Sequence, residues 1–322
     1  AVAVIVADAN VTVAGDITTS GDLSLEASLV NSVSAEAEAA PGRSNFAGNI
    51  AVSVIDSDAK VHVTDTSSLT VGGDLSLTAS TEDENTTSAT SETEKAGSVG
   101  IAFAVAVESG ATLAYLEGDV DADGDISVEA AHANADDHEV SAGAGIAQAD
   151  ESKEDTDEEK QKKAGKKIGL AVVKSLTKSL FDYVGLKSLS GPVGFGITTL
   201  ANGVFPVGST GEQEERPQPL KFDLGAAVAV MVDSNKAEAR IGDPNGTIGA
   251  TDIESDGSIS VAAEVAARPK LTATSKAEGS TEGDSEGKFG GSFSVPVGVY
   301  NYGATATIEK SATVDAMGDI EV

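Results

Sequence analysis

Apolar and polar positions alternate along most of this chain, and the alternation comes in blocks that return in a fixed order. The first kind of block is Ala1–Val6, and it returns as Ile50–Ile55, Ile101–Val107, Ala226–Val232 and Phe293–Val299. Both of its faces are apolar, but they differ in size. One face carries Val52 and Val54, then Phe103, Val105 and Val107, then Val228, Val230 and Val232; the other carries Ala51 and Ser53, then Ala102, Ala104 and Ala106, then Ala227 and Ala229. A period of two predicts a strand. The large face is expected to be core, and the small face to lie close against a second backbone layer.

A second block follows each first one. It reads Ala9-Asn10-Val11-Thr12-Val13, then Ala59–Val63, Ala111–Tyr115, Ala237–Ile241 and Ala304–Ile308. The third is a Gly-Asp-like turn opening a strand: Gly21-Asp22-Leu23-Ser24-Leu25, Gly73-Asp74-Leu75-Ser76-Leu77, Gly124-Asp125-Ile126-Ser127-Val128, Gly257-Ser258-Ile259-Ser260-Val261 and Gly318-Asp319-Ile320-Glu321-Val322. A fourth is a small-residue, half-polar strand such as Val33–Ala37 or Leu271–Ser275. The unit is about 50 residues long. It predicts an all-β fold, a repetitive β-solenoid rod with four or five short strands and about two coils per unit. Stacked antiparallel hairpins fit the same periodicity. The expected division is 1–48, 49–98, 99–149, 221–291 and a partial unit at 292–322, with an insertion at 150–220. Both ends fall inside a unit, which reads as a piece of a longer polypeptide.

Irregular connections recur at one place in the unit: Ala40–Asn49, Ser80–Ser98, Asp150–Leu220 and Gly279–Gly291. That position predicts that they share one edge, where such proteins vary. Thr81–Glu94 and Gly279–Glu286 have the composition of solvated, disordered loops. The third connection differs. After an acidic run, Ile168, Val172, Leu176 and Leu180 recur every four residues, and Lys163, Lys167, Lys174 and Lys178 gather on another sector. This predicts a basic amphipathic helix, followed by a Gly-rich apolar tail. The helix can pack on the solenoid, lie on a membrane surface or dock a partner protein.

Composition narrows the partners. Acids outnumber bases 52 to 21, for a net charge of −31, so phosphate repulsion argues against nucleic acid. The chain has no Cys, hence no disulfide and no thiolate metal site. No apolar stretch is long enough to predict a transmembrane helix, which leaves the insertion as the only membrane-contact candidate.

Candidate chemistry is sparse. Asp119, Asp121 and Asp123 hold positions 1, 3 and 5 of a Ca²⁺-loop pattern with Gly124 at the sixth and Asp125 after it, but Ala130 stands where the bidentate Glu belongs. The same residues also read as an ordinary strand and turn of the unit. Of the three histidines, His62 lies on the polar face of a strand, and His132 and His138 lie among Asp136, Asp137 and Glu139; with no standard metal spacing they read as solvated surface. No nucleophile elbow, phosphate loop or dinucleotide fingerprint is present. The chain therefore reads as a non-enzyme that needs no cofactor, with Ca²⁺ at the Asp119–Asp125 loop the leading candidate ion and a zinc site at the histidines conceivable despite the missing spacing.

Asp58-Ala59-Lys60-Val61-His62-Val63 and Gly73-Asp74-Leu75-Ser76-Leu77-Thr78-Ala79 resemble the repeats of giant bacterial exoproteins, the filamentous-haemagglutinin-like and leukotoxin-type filamentous adhesins. The resemblance covers residues 1–150 and 221–322. It implies secretion to the bacterial surface or beyond, a long solenoid stalk, and a part in attachment or cell–cell contact. Partners would be the continuing polypeptide or like chains end to end, and a host, prey or neighbouring cell surface. A toxin-like exoprotein acting through 160–208 and a β-helical polysaccharide-modifying enzyme are the alternatives.

Overall fold

The computed structural model describes residues 1–42, 46–93, 99–135, 138–146, 222–247, 250–277 and 289–322. Among them there is no helix; the fold is all-β, in three parallel sheets. The first, the long sheet, stacks β1 (Val2–Val13), β4 (Phe46–Val63), β7 (Val99–Leu116), β11 (Phe222–Ile241) and β15 (Phe289–Ile308) in that order. The short sheet stacks β2 (Ile17–Thr19), β5 (Ser68–Val71), β8 (Asp119–Ala122), β12 (Thr251–Ser255) and β16 (Ala312–Ala316). The back sheet holds β3 (Leu23–Gly42) and β6 (Leu75–Thr93). It continues through β9 (Ile126–Asn134) and β10 (Glu139–Ile146), then β13 (Ile259–Ala266) and β14 (Lys270–Ala277), and reaches β17 (Ile320–Glu321).

Between one strand and its ladder neighbour the chain passes once round all three faces, which is consistent with a β-helix or solenoid. Every ladder is parallel, which excludes stacked antiparallel hairpins. The blocks that recur in sequence are those that pair. Val4 lies on Val54, Val54 on Val107, Val107 on Val232 and Val232 on Val299. Leu23, Leu75, Ile126, Ile259 and Ile320 stack likewise. One unit is thus one coil and not two. The first two blocks fuse into a single strand of up to 20 residues, so each coil has a wide footprint and advances by only one strand spacing, about 4.8 Å. The third copy of the second block is also one residue out of the expected phase, because Ala59 pairs with Thr112 and not with Ala111.

One further expectation changes. Residues 81–93 do not form a solvated loop. Strand β6 runs through them, with Thr81, Asp83, Asn85 and Thr87 facing inward and buried. In the long sheet the small face lies against a second backbone layer, as expected, with Ala102, Ala104, Ala106, Ala227 and Ala229 meeting Ala89, Val140 and Ala142 of the back sheet. The large face forms its own cluster, from Val105 and Val107 to Val228, Val230 and Val232, on the other side of that sheet. Small residues let two long sheets approach closely. Where the short sheet wedges them apart, Leu69, Leu75, Leu77, Leu116, Ile126, Ile241 and Ile253 fill a wider aliphatic corner. The stretches 43–45, 94–98, 147–221 and 278–288, and with them the expected helix at 150–220, lie outside the described residues. Each follows a back-sheet strand and precedes a long-sheet strand in the chain.

The Gly-Asp turn is explained by stacking. The Asp22 carboxylate accepts a hydrogen bond from the Asp74 amide (3.0 Å), Asp74 accepts from the Asp125 amide (2.9 Å), and Asp125 accepts from the Ser258 amide (2.7 Å). The capping carboxylate lies over the next coil's glycine. A Cβ on Gly73, Gly124 or Gly257 would meet that Asp oxygen at 2.2–2.3 Å. Gly124→Ala should therefore lower the urea midpoint by an amount equivalent to about 1–3 kcal/mol, from overpacking against the Asp74 carboxylate and the Gly73 backbone. Adding Asp74→Ala should restore part of the loss, and strictly additive losses in the double variant would contradict the stacked cap.

Candidate metal centre

Along each coil's interior, period-two alternation carries the inward positions from aliphatic to polar and then to alanine. In β7 the phase set by Ala102, Ala104 and Ala106 continues through Glu108 and Thr112, and in β11 the phase of Ala227, Ala229 and Met231 continues through Asp233 and Asn235. In the back sheet the phase of Leu75, Leu77 and Ala79 brings in Thr81, Asp83 and Asn85, and that of Ile126, Val128 and Ala130 brings in His132 and Asn134. The ladder positions of Glu108 in the first two coils are Ile5 and Ile55. At this ladder position the third and fourth coils carry an acid where the first two carry isoleucine, and the polar belt also takes in Asn31, Ser57, Asp83 and Asn85 of the first two coils.

Its centre holds three carboxylates and two imidazoles. Asp83 and Asp233 are 0% exposed, and Glu108, His132 and His138 are 1% exposed. The solvated-surface reading of His132 and His138 is therefore corrected. The fold brings in acids from three successive coils. His132 Nε2 stands 3.7 Å from both Asp83 Oδ2 and Glu108 Oε1. His138 Nδ1 lies 3.4 Å from Glu108 Oε2, and its Nε2 lies 3.8 Å from Asp233 Oδ2. One donor atom from each of Asp83, Glu108 and His132 falls within 4.8 Å of the others, and the same holds for Glu108, His138 and Asp233. Either trio could hold a metal ion.

The surroundings hold these groups in place. Asn31 Nδ2 donates to Asp83 Oδ1 (2.8 Å) and Ser57 Oγ to Asp83 Oδ2 (2.5 Å). Asn134 and Asn235 both donate to Glu108 Oε1, at 3.1 and 2.7 Å, and both also donate to Asp233. The Tyr302 hydroxyl donates to Asp233 as well. Gly110 makes room for one imidazole, since a Cβ there would stand 2.8 Å from His132 Cε1. Yet His132 Nε2, both nitrogens of His138 and Glu108 Oε2 make no hydrogen bond. Buried polar atoms left so cost free energy, and buried charges cost more. Burial pushes the Glu108 carboxyl up and the His138 imidazole down. Burial, with the Glu108 charge adding to it, pushes Asp233 up to about 6.

The Ca²⁺-loop candidates lie elsewhere. Strand β8 runs through the proposed loop, so Asp119, Asp121 and Asp123 line up on the solvent side instead of wrapping round one point. Asp119 Oδ1 accepts from the Asp252 amide (2.9 Å), and Asp125 caps Ser258. Among the described residues these acids form no converging group of three. His62 is only 20% exposed; it bonds Glu117 at 2.9 Å in an outer-face network, where Arg240 also pairs with Glu117 and stacks 3.9 Å over the Tyr115 ring. Lys163, Lys167, Ile168, Val172, Lys174, Leu176, Lys178 and Leu180 lie outside the described residues.

A raised carboxyl pKa means that the folded state holds the proton more tightly than the unfolded chain. Asp233 thus stabilises the fold at low pH and loses that contribution as pH rises through about 6. In chelator, Asp233→Asn should gain on the wild type as pH is raised from 4 to 8, by about 1–2 kcal/mol in total. Parallel melting curves across that range would contradict the assignment.

Comparison of the chain with known protein families, with curated proteins and with solved structures returns no match.

Proposed function

We propose that this chain is a structural and adhesive segment of a large secreted or cell-surface filamentous protein, a β-solenoid whose coils act as scaffold and whose one variable corner makes contact with other surfaces. The observation that carries the reading is the register. The residues that return in sequence are the residues that stack: the valines of the long sheet, the leucines and isoleucines of the back sheet, and the Gly-Asp corners. Sequence repetition is thus used for stacking, which is how a scaffold of this kind is specified.

Three features support the rest. The wide coil gives extensive surface for little axial length. The strand pairs β3–β4, β6–β7, β10–β11 and β14–β15 are all joined at the same place in the circuit, between the back sheet and the long sheet. Outermost strands β1 and β15 have one ladder neighbour each among the described residues, and such strands are templates for further parallel pairing, by the same polypeptide or by a like chain. The charge of −31 keeps such a surface soluble and unsuited to nucleic acid.

Antiserum raised against the purified segment should label intact cells that make the parent protein, or the filaments they release. Labelling only after permeabilisation would overturn the reading.

A further inference from the structure

The interior belt does more than fill space. We propose that Asp83, Glu108 and His132 hold one divalent transition ion of the zinc class inside the solenoid, tying the second coil to the third.

Four observations carry this. The first is distance. The 3.7 Å separations of His132 Nε2 from Asp83 Oδ2 and from Glu108 Oε1 are too long for hydrogen bonds. They are close to the edge of a polyhedron of donors, each about 2.0–2.2 Å from a shared ion. The second is direction. Thr112 Oγ1 donates its proton to Thr81 Oγ1 (2.9 Å), so toward His132 Nδ1, at 3.4 Å, it presents a lone pair. It can therefore accept the imidazole proton from Nδ1, and in that tautomer the Nε2 lone pair is aimed at the two acids, the arrangement of a histidine ligand oriented by its outer neighbour. His132 Nε2 makes no hydrogen bond of its own. The third is charge. Asp83, Glu108 and Asp233 are 0–1% exposed, and among the described residues no Lys or Arg ion pair reaches them. A divalent cation supplies what the protein does not. The fourth is the cradle: Gly110 clears the space the ring occupies, while Asn31 and Ser57 hold Asp83 and Asn134 and Asn235 hold Glu108.

The His132 trio is favoured over that of His138 because both acids face one nitrogen. In the other trio the short contacts go to different nitrogens, Nδ1 toward Glu108 and Nε2 toward Asp233. Imidazole among carboxylates selects zinc-like ions over Ca²⁺ or Mg²⁺, which take oxygen donors. Full burial means that the ion enters as the coils close, so that binding contributes to folding.

The test uses the full chain, freed of any histidine tag. Elemental analysis after gel filtration in Zn²⁺-containing buffer, followed by exhaustive dialysis, should find about one Zn²⁺ per chain. Chelator should then lower the melting temperature by about 5 °C or more. Co²⁺ loaded in place of Zn²⁺ should give visible d–d absorption. His132→Asn and, independently, Asp83→Asn should abolish the bound ion, the Co²⁺ spectrum and the chelator effect together. The surface double variant Asp119→Asn/Asp121→Asn should keep all three. Should one variant fail to fold, the other carries the test, together with the spectrum of the wild type. A metal-free wild type whose melting temperature ignores chelator would overturn the proposal, as would preference for Ca²⁺ over Zn²⁺, or an ion retained at full stoichiometry in both His132→Asn and Asp83→Asn.

Discussion

The parallel in-register ladder between successive coils is the constraint on which the rest depends. Once the chain returns to the same position after each circuit, every side chain has its own counterpart one strand spacing, about 4.8 Å, above and below it. Apolar positions become continuous columns, such as Leu23, Leu75, Ile126, Ile259 and Ile320. Corners become columns as well. The Gly-Asp dipeptide is a device for such a column: the carboxylate of one coil caps the amide of the next, and the glycine of the next leaves it room. Neither residue alone would suffice, since an Asp without the facing glycine would clash, and a glycine without the Asp would leave a corner amide uncapped.

The same constraint makes the interior belt conspicuous. A polar residue at an inward position is repeated by its neighbours unless the sequence changes from coil to coil, and here it does change. Ile5 and Ile55 give way to Glu108 and Asp233, and Ala59 gives way to Thr112. Two buried acids stacked one coil apart repel each other, and the asparagines and histidines that face them from the same circuit offset this only in part. Such a belt adds little to hydrophobic stabilisation. What it adds is register, because sliding a coil by one residue would turn these groups outward and unpair them.

Much of the architecture was legible in the sequence because a parallel stack repeats its pattern openly. The alternation and the Gly-Asp corners can both be read from spacing. Coil number could not be, since one wide circuit and two narrow ones give the same period; the fusion of Ile50–Ile55 with Ala59–Val63 into β4 decided it. The two faces of the long sheet were legible as well: two long sheets packed back to back select Ala102, Ala104 and Ala106 on the small face, and the valines of the large face form a core cluster of their own. The belt was hidden by composition. Thr81–Glu94 has the residues of a disordered loop, and only its phase with Leu75, Leu77 and Ala79 shows that Asp83 points inward. His132 is likewise in phase with Ile126, Val128 and Ala130, so extending the alternation two steps past each aliphatic run would have found both.

One circuit per unit is the claim on which the coil, the corner columns and the belt all stand, and cross-linking tests it directly. The chain has no cysteine, so an introduced pair has no competitor. Ser24 and Ser76 are ladder partners on adjacent coils, which places their Cα atoms about 5 Å apart, within disulfide reach. The account predicts that the variant carrying Ser24→Cys and Ser76→Cys oxidises within one chain to a disulfide. A pair that stays reduced while the protein remains folded would contradict it, because two coils per unit would set these residues about 10 Å apart.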